Sequence, residues 1–160
     1  MEITVYKREY HHKLICFLEK CLPESGRELD INGRHKAYSD VEKYYSKFWC
    51  LFDNENIVGA VAVKEIDKDS CELKSLYLLK NYQGRKLGYE LLQTAVSYAT
   101  SAGYKKMYLD TFSTSTRAVS LYEKAGFVYT DRYNENYNAD VFMVMELKQY
   151  IDSNDREELK

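Results

Sequence analysis

One stretch, residues 71 to 112, constrains the fold more than any other. It opens on the apolar run CELKSLYLL, Cys71 to Leu79, and passes through the basic turn NYQGRK into a helical pattern. Leu91, Leu92, Ala95, Tyr98, Ala99 and Ala102 lie on one face of that helix, and Gly103 stops it. A second strand-like run, KKMYLDTF, follows at once. Two strands bridged by a single helix make a βαβ crossover, so these two are expected to be parallel neighbours.

The flanking sequence completes the order. ITVYK, Ile3 to Lys7, alternates as a strand does. EYHHKLICFLEKCL places Leu14, Phe17, Leu18 and Leu22 on one helical face, and Pro23 is expected to end that helix. SDVEKYYSKF is expected to form a second helix, capped by Ser39 or Asp40. FWCLFD and NIVGAVAVKEI read as strands joined by the turn DNEN. TSTRAVSLYEKAGF aligns Ala118, Leu121, Tyr122 and Ala125 on a helix that Gly126 stops, and FVYTDRY and DVFMVMELK read as a closing antiparallel pair. The order is strand, two helices, three strands, helix, strand, helix, two strands. That is an α/β (α+β) chain with one mixed sheet and helices on its faces. No linker or repeat interrupts it, so residues 1–148 are read as one domain and 149–160 as a polar tail that frays.

The 160 residues suffice for one core. A net charge of −2 with both signs interspersed gives neither the basic excess of a nucleic-acid binder nor a polybasic membrane patch. No run approaches the roughly 20 apolar residues that span a bilayer. The opening MEITVYKREYHHK lacks the apolar core of a signal peptide, so a cytoplasmic location is expected. Cys16, Cys21, Cys50 and Cys71 form no C-x-x-C pair and have no histidine at ligand spacing. Reduced thiols and no metal site are the expectation.

The basic turn has a physical use. A helix begins with about four unpaired amides and the positive end of its dipole. Gly84 and Gly88 are expected to allow positive φ and close approach, so that successive amides converge on an anion, with Arg85 and Lys86 adding charge. A diphosphate suits such a turn. The spacing is neither G-x-x-x-x-G-K-[ST] nor G-x-G-x-x-G, and a purely structural turn remains the alternative at this point.

SLYLLKNYQGRKLGYELL resembles the acetyl-CoA signature of the GNAT family of N-acetyltransferases: a strand, then [QR]-x-x-G-x-[GA], then a helix. Gln83 takes the first position and Gly88 the last, while Lys86 stands where the family usually has a glycine. STRAVSLYEKAGF resembles the family's later N-x-x-A-x-x-L-Y-E-K-x-G-F helix, with Ser115 in place of asparagine as a short capping residue. The resemblance runs from about Ile3 to Leu147 and implies the GNAT acyl-CoA N-acyltransferase fold. It implies acetyl-CoA as acetyl donor. The backbones of Leu76 and Leu78 would pair with the pantetheine arm as an added strand. The amides of Gly84, Arg85, Lys86, Leu87, Gly88 and Tyr89 would hold the pyrophosphate, with Gln83, Ser115 and Ala118 completing the site. The two parallel strands are expected to splay beside the thioester, at a bulge.

The resemblance also implies two catalytic groups. Glu72 is the candidate base; six residues before Leu78, strand alternation would put both on one face. Its alternative is a solvated strand-end carboxylate. Tyr122 is the candidate acid toward the leaving thiolate, against the alternative of a core aromatic. Asp110, Thr111 and His35 are weaker candidates. The acceptor is expected to meet PESGRELDINGRHKAYSD and YTDRYNENYNADV, where tyrosines beside Asp131, Glu135 and Asp140 would suit a cationic amine. A small-molecule primary amine is the expected partner, with a peptide amine or a non-catalytic acyl-CoA-binding module as alternatives. Pairing into dimers is common in such folds, and the sequence leaves it open.

Overall fold

In the computed structural model, which describes residues 1–148, the apolar runs become seven strands of one sheet. They are β1 (Glu2–Val5), β2 (Lys47–Asp53), β3 (Asn56–Glu65), β4 (Ser70–Leu78), β5 (Lys106–Thr111), β6 (Val128–Tyr129) and β7 (Val141–Glu146). The order across the sheet is β1-β2-β3-β4-β5-β7-β6. Every neighbouring pair is antiparallel except β4 and β5, which are parallel as the crossover requires. Four helices join them: α1 (His11–Glu24), α2 (Val41–Tyr44), α3 (Leu87–Ser101) and α4 (Thr116–Ala125). The polar tail expected to fray lies outside the described residues.

The core lies on both sides of the sheet. Leu14, Phe17, Leu18 and Leu22 of α1 pack with Phe48, Cys50, Ala60 and Ala62 on one face. Leu91, Leu92, Ala95 and Ala99 of α3 pack with Val61, Val63, Met107 and Leu109 on the other. Burial of β3 on both faces explains why its sequence is a continuous apolar run rather than an alternation.

Four expectations move. Pro23 sits inside the last turn of α1, which ends one residue later at Glu24. The second helix shrinks to Val41–Tyr44, because Lys47 and Phe48 are taken into β2 opposite Val63 and Ala62. Asp40 precedes α2 but makes no side-chain cap; its carbonyl accepts the amides of Lys43 and Tyr44. β6 keeps only two residues; the Thr130 amide still donates to Phe142 O of β7 at 2.9 Å before the chain turns toward the site.

Two distortions position that site. Opposite β3, the register of β4 shifts between Ala60 and Ala62, and Ser75 stands at φ 57. This bulge moves the alternation of β4 forward by one residue. Pairing of β4 with β5 stops after Ser70, Cys71 and Glu72, so the strands diverge beyond it.

Candidate active site

The turn before α3 is built from two left-handed residues, Gly84 at φ 82 and Lys86 at φ 64. Gly88, expected to share that role, is helical, and a Cβ there would meet Leu121 at an ordinary 3.6 Å. Lys86 instead takes the conformation that a glycine adopts most easily, and it serves as the N-cap residue without a side-chain cap. The space around Gly84 is open, with no atom within 4 Å of a Cβ placed there. The first amide to find an acceptor is that of Glu90, on Lys86 O at 3.1 Å. Among the described residues, the amides of Gly84 through Tyr89 meet none. Six successive free amides at a helix N-terminus form a receptor for an anion.

Gln83 fastens this turn to its surroundings. Its Nε2 donates to Leu78 O at 3.3 Å, and its Oε1 accepts from Arg117 Nη1 of α4 at 2.8 Å. The Arg85 guanidinium lies over the Tyr82 ring, 5.2 Å from its centroid, and Tyr82 donates to Asp53.

A cleft of about 670 Å³ opens where β4 and β5 part. Leu76, Leu78, Gln83, Ser115, Ala118 and Tyr122 border it. Leu78 faces Gly59 of β3, yet the ladder bond there runs from the Leu79 amide to Val58 O at 3.0 Å. Leu78 is thus in a non-hydrogen-bonded pair, and its own amide points away from β3 toward the gap. Leu76, two residues earlier, pairs with no residue of β3. The strand edge expected to receive an extended arm is therefore present.

Tyr122 is 7% exposed and packs edge-on against Phe127. Burial, with Tyr77 and Asp110 adding to it and Arg27 opposing, pushes its phenol above the ordinary value. Its hydroxyl forms no hydrogen bond among the described residues, yet it is not a sealed, unsatisfied atom. It opens into the cleft that the ring borders.

Glu72 is 6% exposed and is the chain's one buried charged residue among those described. Its Oε2 accepts from Tyr133 Oη at 2.5 Å and Asn134 Nδ2 at 3.1 Å, and its Oε1 meets Lys74 Nζ at 3.2 Å. Asn134 Nδ2 also donates to Asp110 Oδ2 at 2.6 Å, and Asn136 Nδ2 to Asp110 Oδ1 at 3.2 Å. Desolvation disfavours the Lys74 ammonium, but Glu72 and Asp110 outweigh it and raise its pKa. The Tyr133 phenol is raised by burial and by Glu72.

The family model for the Acetyltransferase (GNAT) family matches residues 9–127. This chain belongs to the GNAT family.

An N-acetyltransferase of Schizosaccharomyces pombe described as uncharacterized is 39% identical over 80 residues, 49% of this chain and 49% of that protein. The chain spans about half the length, or less, of the curated relatives it matches first. A GNAT-family acetyltransferase of Staphylococcus aureus superposes with a TM-score of 0.83 at 23% identity, over 92% of this chain and 99% of that one. The paia N-acetyltransferase of Thermoplasma acidophilum, solved in complex with coenzyme A, superposes with a TM-score of 0.72 at 21% identity, over 91% and 99%. Both likenesses are of fold.

Within this GNAT fold several sequence readings need correcting. Glu72 and Leu78 do not share a face. The bulge at Ser75 turns Leu76 and Leu78 toward α3, with Cys71 and Leu73, while Lys74 aligns with Ala62 on the α1 side and Glu72 lies with it. Glu72 is not a solvated strand-end group either, and it does not border the cleft. Gly84, Arg85, Lys86, Leu87, Gly88 and Tyr89 also stand outside it, at the turn. Ser115 makes no side-chain cap on α4; its carbonyl accepts the Val119 amide at 3.0 Å. Of the segment from Tyr129 to Val141, Asn136 alone borders the cleft. Its carboxylates and tyrosines do not gather there: Asp140 binds Ser113 and Tyr129 donates to Glu123. Cys71 is held inert, its thiol pushed up to about 12 by burial and by Glu72.

The sequence reading missed Lys74, Asn134 and Asn136 as partners of the two carboxylates. No short-range pattern carries that signal, because Glu72 and Asn134 are brought together by the return of the chain between β6 and β7.

Proposed function

We propose that this chain is an acetyl-CoA-dependent N-acetyltransferase acting on a primary amine of a small molecule by direct attack within a ternary complex. The observation that carries the reading is the row of six free amides, residues 84–89, set beside a split parallel strand pair with an open phenol. The open space at Gly84 leaves room for a diphosphate, and the unpaired edge of Leu76 and Leu78 suits the pantetheine amides.

Bound there, the coenzyme supplies an activated thioester, whose acetyl carbon gains the amine nitrogen as its bond to sulfur breaks. The chain's own groups handle orientation and protons. The Leu78 amide points toward the gap, where a developing oxyanion would be stabilised. Tyr122 keeps its proton through the neutral range, because burial disfavours the phenolate. Above a thiol's ordinary value of about 8.5, it is the weaker acid, so its part is to donate a hydrogen bond to sulfur as charge develops. The amine's proton passes to Asp110, the carboxylate that borders the cleft; Asn134, donating to both Asp110 and Glu72, fixes the two carboxylates beside each other.

A non-catalytic acyl-CoA-binding module is the second reading. The enclosure of Glu72 by Tyr133, Asn134 and Lys74 favours it. A panel of amines separates the two. Release of free thiol from acetyl-CoA on any amine supports the enzyme, whereas a rise in melting temperature with CoA and no turnover across the panel supports the module.

A further inference from the structure

The cleft carries positive charge of its own, apart from the turn residues 84–89, none of which borders it. Arg27, Arg34, Lys64, Lys74, Lys80 and Arg117 border it, against only Glu24 and Asp110. That is a formal excess of four positive charges in a chain whose net charge is −2. Of the six cations, Lys74 alone has a carboxylate within 4 Å among the described residues. Like charges gathered in a concave, low-dielectric cleft focus a field that concentrates anions.

These cations come from separate parts of the chain. Lys80 and Arg117 stand with the turn, Arg117 being bound to Gln83, so they belong to the diphosphate side. Arg27 and Arg34 come from the segment between α1 and α2, whose start is tied to the turn side by the Lys80 amide donating to Glu24 Oε1 at 3.2 Å. The Arg27 guanidinium lies 4.3 Å from the centroid of Phe112, just beyond β5, and its charge acts on both Tyr122 and His35. Arg34 and His35 are carried on a loop closed around Asp30. The Arg34 amide donates to Asp30 Oδ2 at 3.3 Å, the His35 amide to Asp30 O at 2.8 Å, and the Asp30 amide to His35 Nδ1 at 2.9 Å. With Nδ1 accepting, a neutral His35 ring carries its proton on Nε2 and is a donor there. Asp30 itself does not border the cleft.

We propose that the acceptor is an amine bearing a carboxylate close to its nitrogen, an amino acid by chemical class, and that Arg27, Arg34 and His35 receive that carboxylate. Guanidinium groups suit a carboxylate because their planar fork matches its two oxygens. An anion held by these groups would keep its amine in the same cleft that Tyr122 and Asp110 border. The inference rests on the acetyl-transfer reading of the same cleft and narrows its substrate class.

The test uses matched trios: an amino acid, its carboxamide and its decarboxylated amine, each offered with acetyl-CoA, and binding of each to CoA-loaded protein followed by calorimetry. The amino acid is expected to exceed its partners in kcat/KM and in affinity by about 10- to 100-fold, as a charge-assisted pair would give. The preference is expected to shrink with added salt. In Arg34→Gln, an exposed position, and in Arg27→Gln, the ratio should fall toward one while CoA still raises the melting temperature. Should Arg27→Gln not fold, Arg34→Gln carries the test. Equal or better use of the decarboxylated amine, or a ratio unchanged in Arg34→Gln, overturns the carboxylate site and leaves acetyl transfer standing. Loss of CoA binding in Arg34→Gln also overturns it, by assigning that arginine to the coenzyme. Absence of turnover on every acceptor, with CoA bound, overturns the acetyl-transfer reading and this proposal together.

Discussion

Lys86 holds a backbone conformation that an L-residue with a Cβ adopts at a cost of about 1–2 kcal/mol. The strain falls at the entrance to α3, where its neighbours' amides stay unpaired. Replacing Lys86 with glycine should relieve it, less the added chain entropy of glycine, for a net gain of about 1 kcal/mol in urea unfolding. CoA binding should survive the change, since the turn geometry is the one glycine prefers. Tyr122→Phe removes only the hydroxyl that opens into the cleft. Turnover should fall by about 10- to 100-fold, as for the loss of one preorganised donor, with the CoA-induced thermal shift retained. Unchanged turnover would return Tyr122 to the role of a core aromatic. At this scale the sequence motifs told where the turn and the phenol are. They did not tell which residue takes the left-handed backbone, because Gly88 is drawn into the first turn of α3.

At the scale of elements, the decisive feature is a single bulge. Ser75 advances β4 by one residue, and with it the faces of everything after it. Strand alternation in sequence assumes an unbroken pleat and so puts Glu72 and Leu78 on one face, whereas in the fold they occupy two. The return segment between β6 and β7 then covers Glu72 with Tyr133 and Asn134. Glu72→Gln should destabilise the fold by about 1–3 kcal/mol, because it leaves the half-buried Lys74 without its carboxylate. The pH dependence has a definite sign. Lys74 and Tyr133 both have raised pKa values in the fold. Their contribution is fully present below the unfolded values, about 10.4 for lysine and about 10 for tyrosine. It is lost as pH climbs through the folded values. Unfolding free energy measured in urea should therefore drop in alkali, and drop less in Glu72→Gln. An identical alkaline slope in both proteins would detach Glu72 from that linkage. The Glu72→Gln pH–rate profile tests the proton path separately: a deficit concentrated at low pH supports the carboxylate pair.

At the scale of the whole molecule, the sheet is held between two apolar clusters, and three residue pairs join β4 to β5 before they separate. A ligand that binds along the open edge and the turn would tie α3, β4 and α4 together only in the folded state. CoA at about 100 times its Kd should add about 2.7 kcal/mol to stability and raise the melting temperature by roughly 5–10 °C. No shift at saturating CoA would remove the coenzyme from the account. The electrostatics of the cleft also belong to this scale. A net charge near zero conceals it, since the cations come from the α1–α2 segment, β3, β4, the turn after it and the start of α4, while most carboxylates lie elsewhere.

The sequence by itself determined the crossover, the parallel pair, the placement of the turn before α3 and the phenol on α4. Each rests on short-range periodicity or on motifs that lie within one or two elements. Tertiary structure decided the rest. The second helix yields to pairing in β2, Glu72 finds Tyr133 and Asn134 more than sixty residues away, and Arg27 comes to lie over Phe112. Those outcomes depend on which surfaces meet when the sheet closes, and the energy of such meetings is not written in any local stretch of the chain.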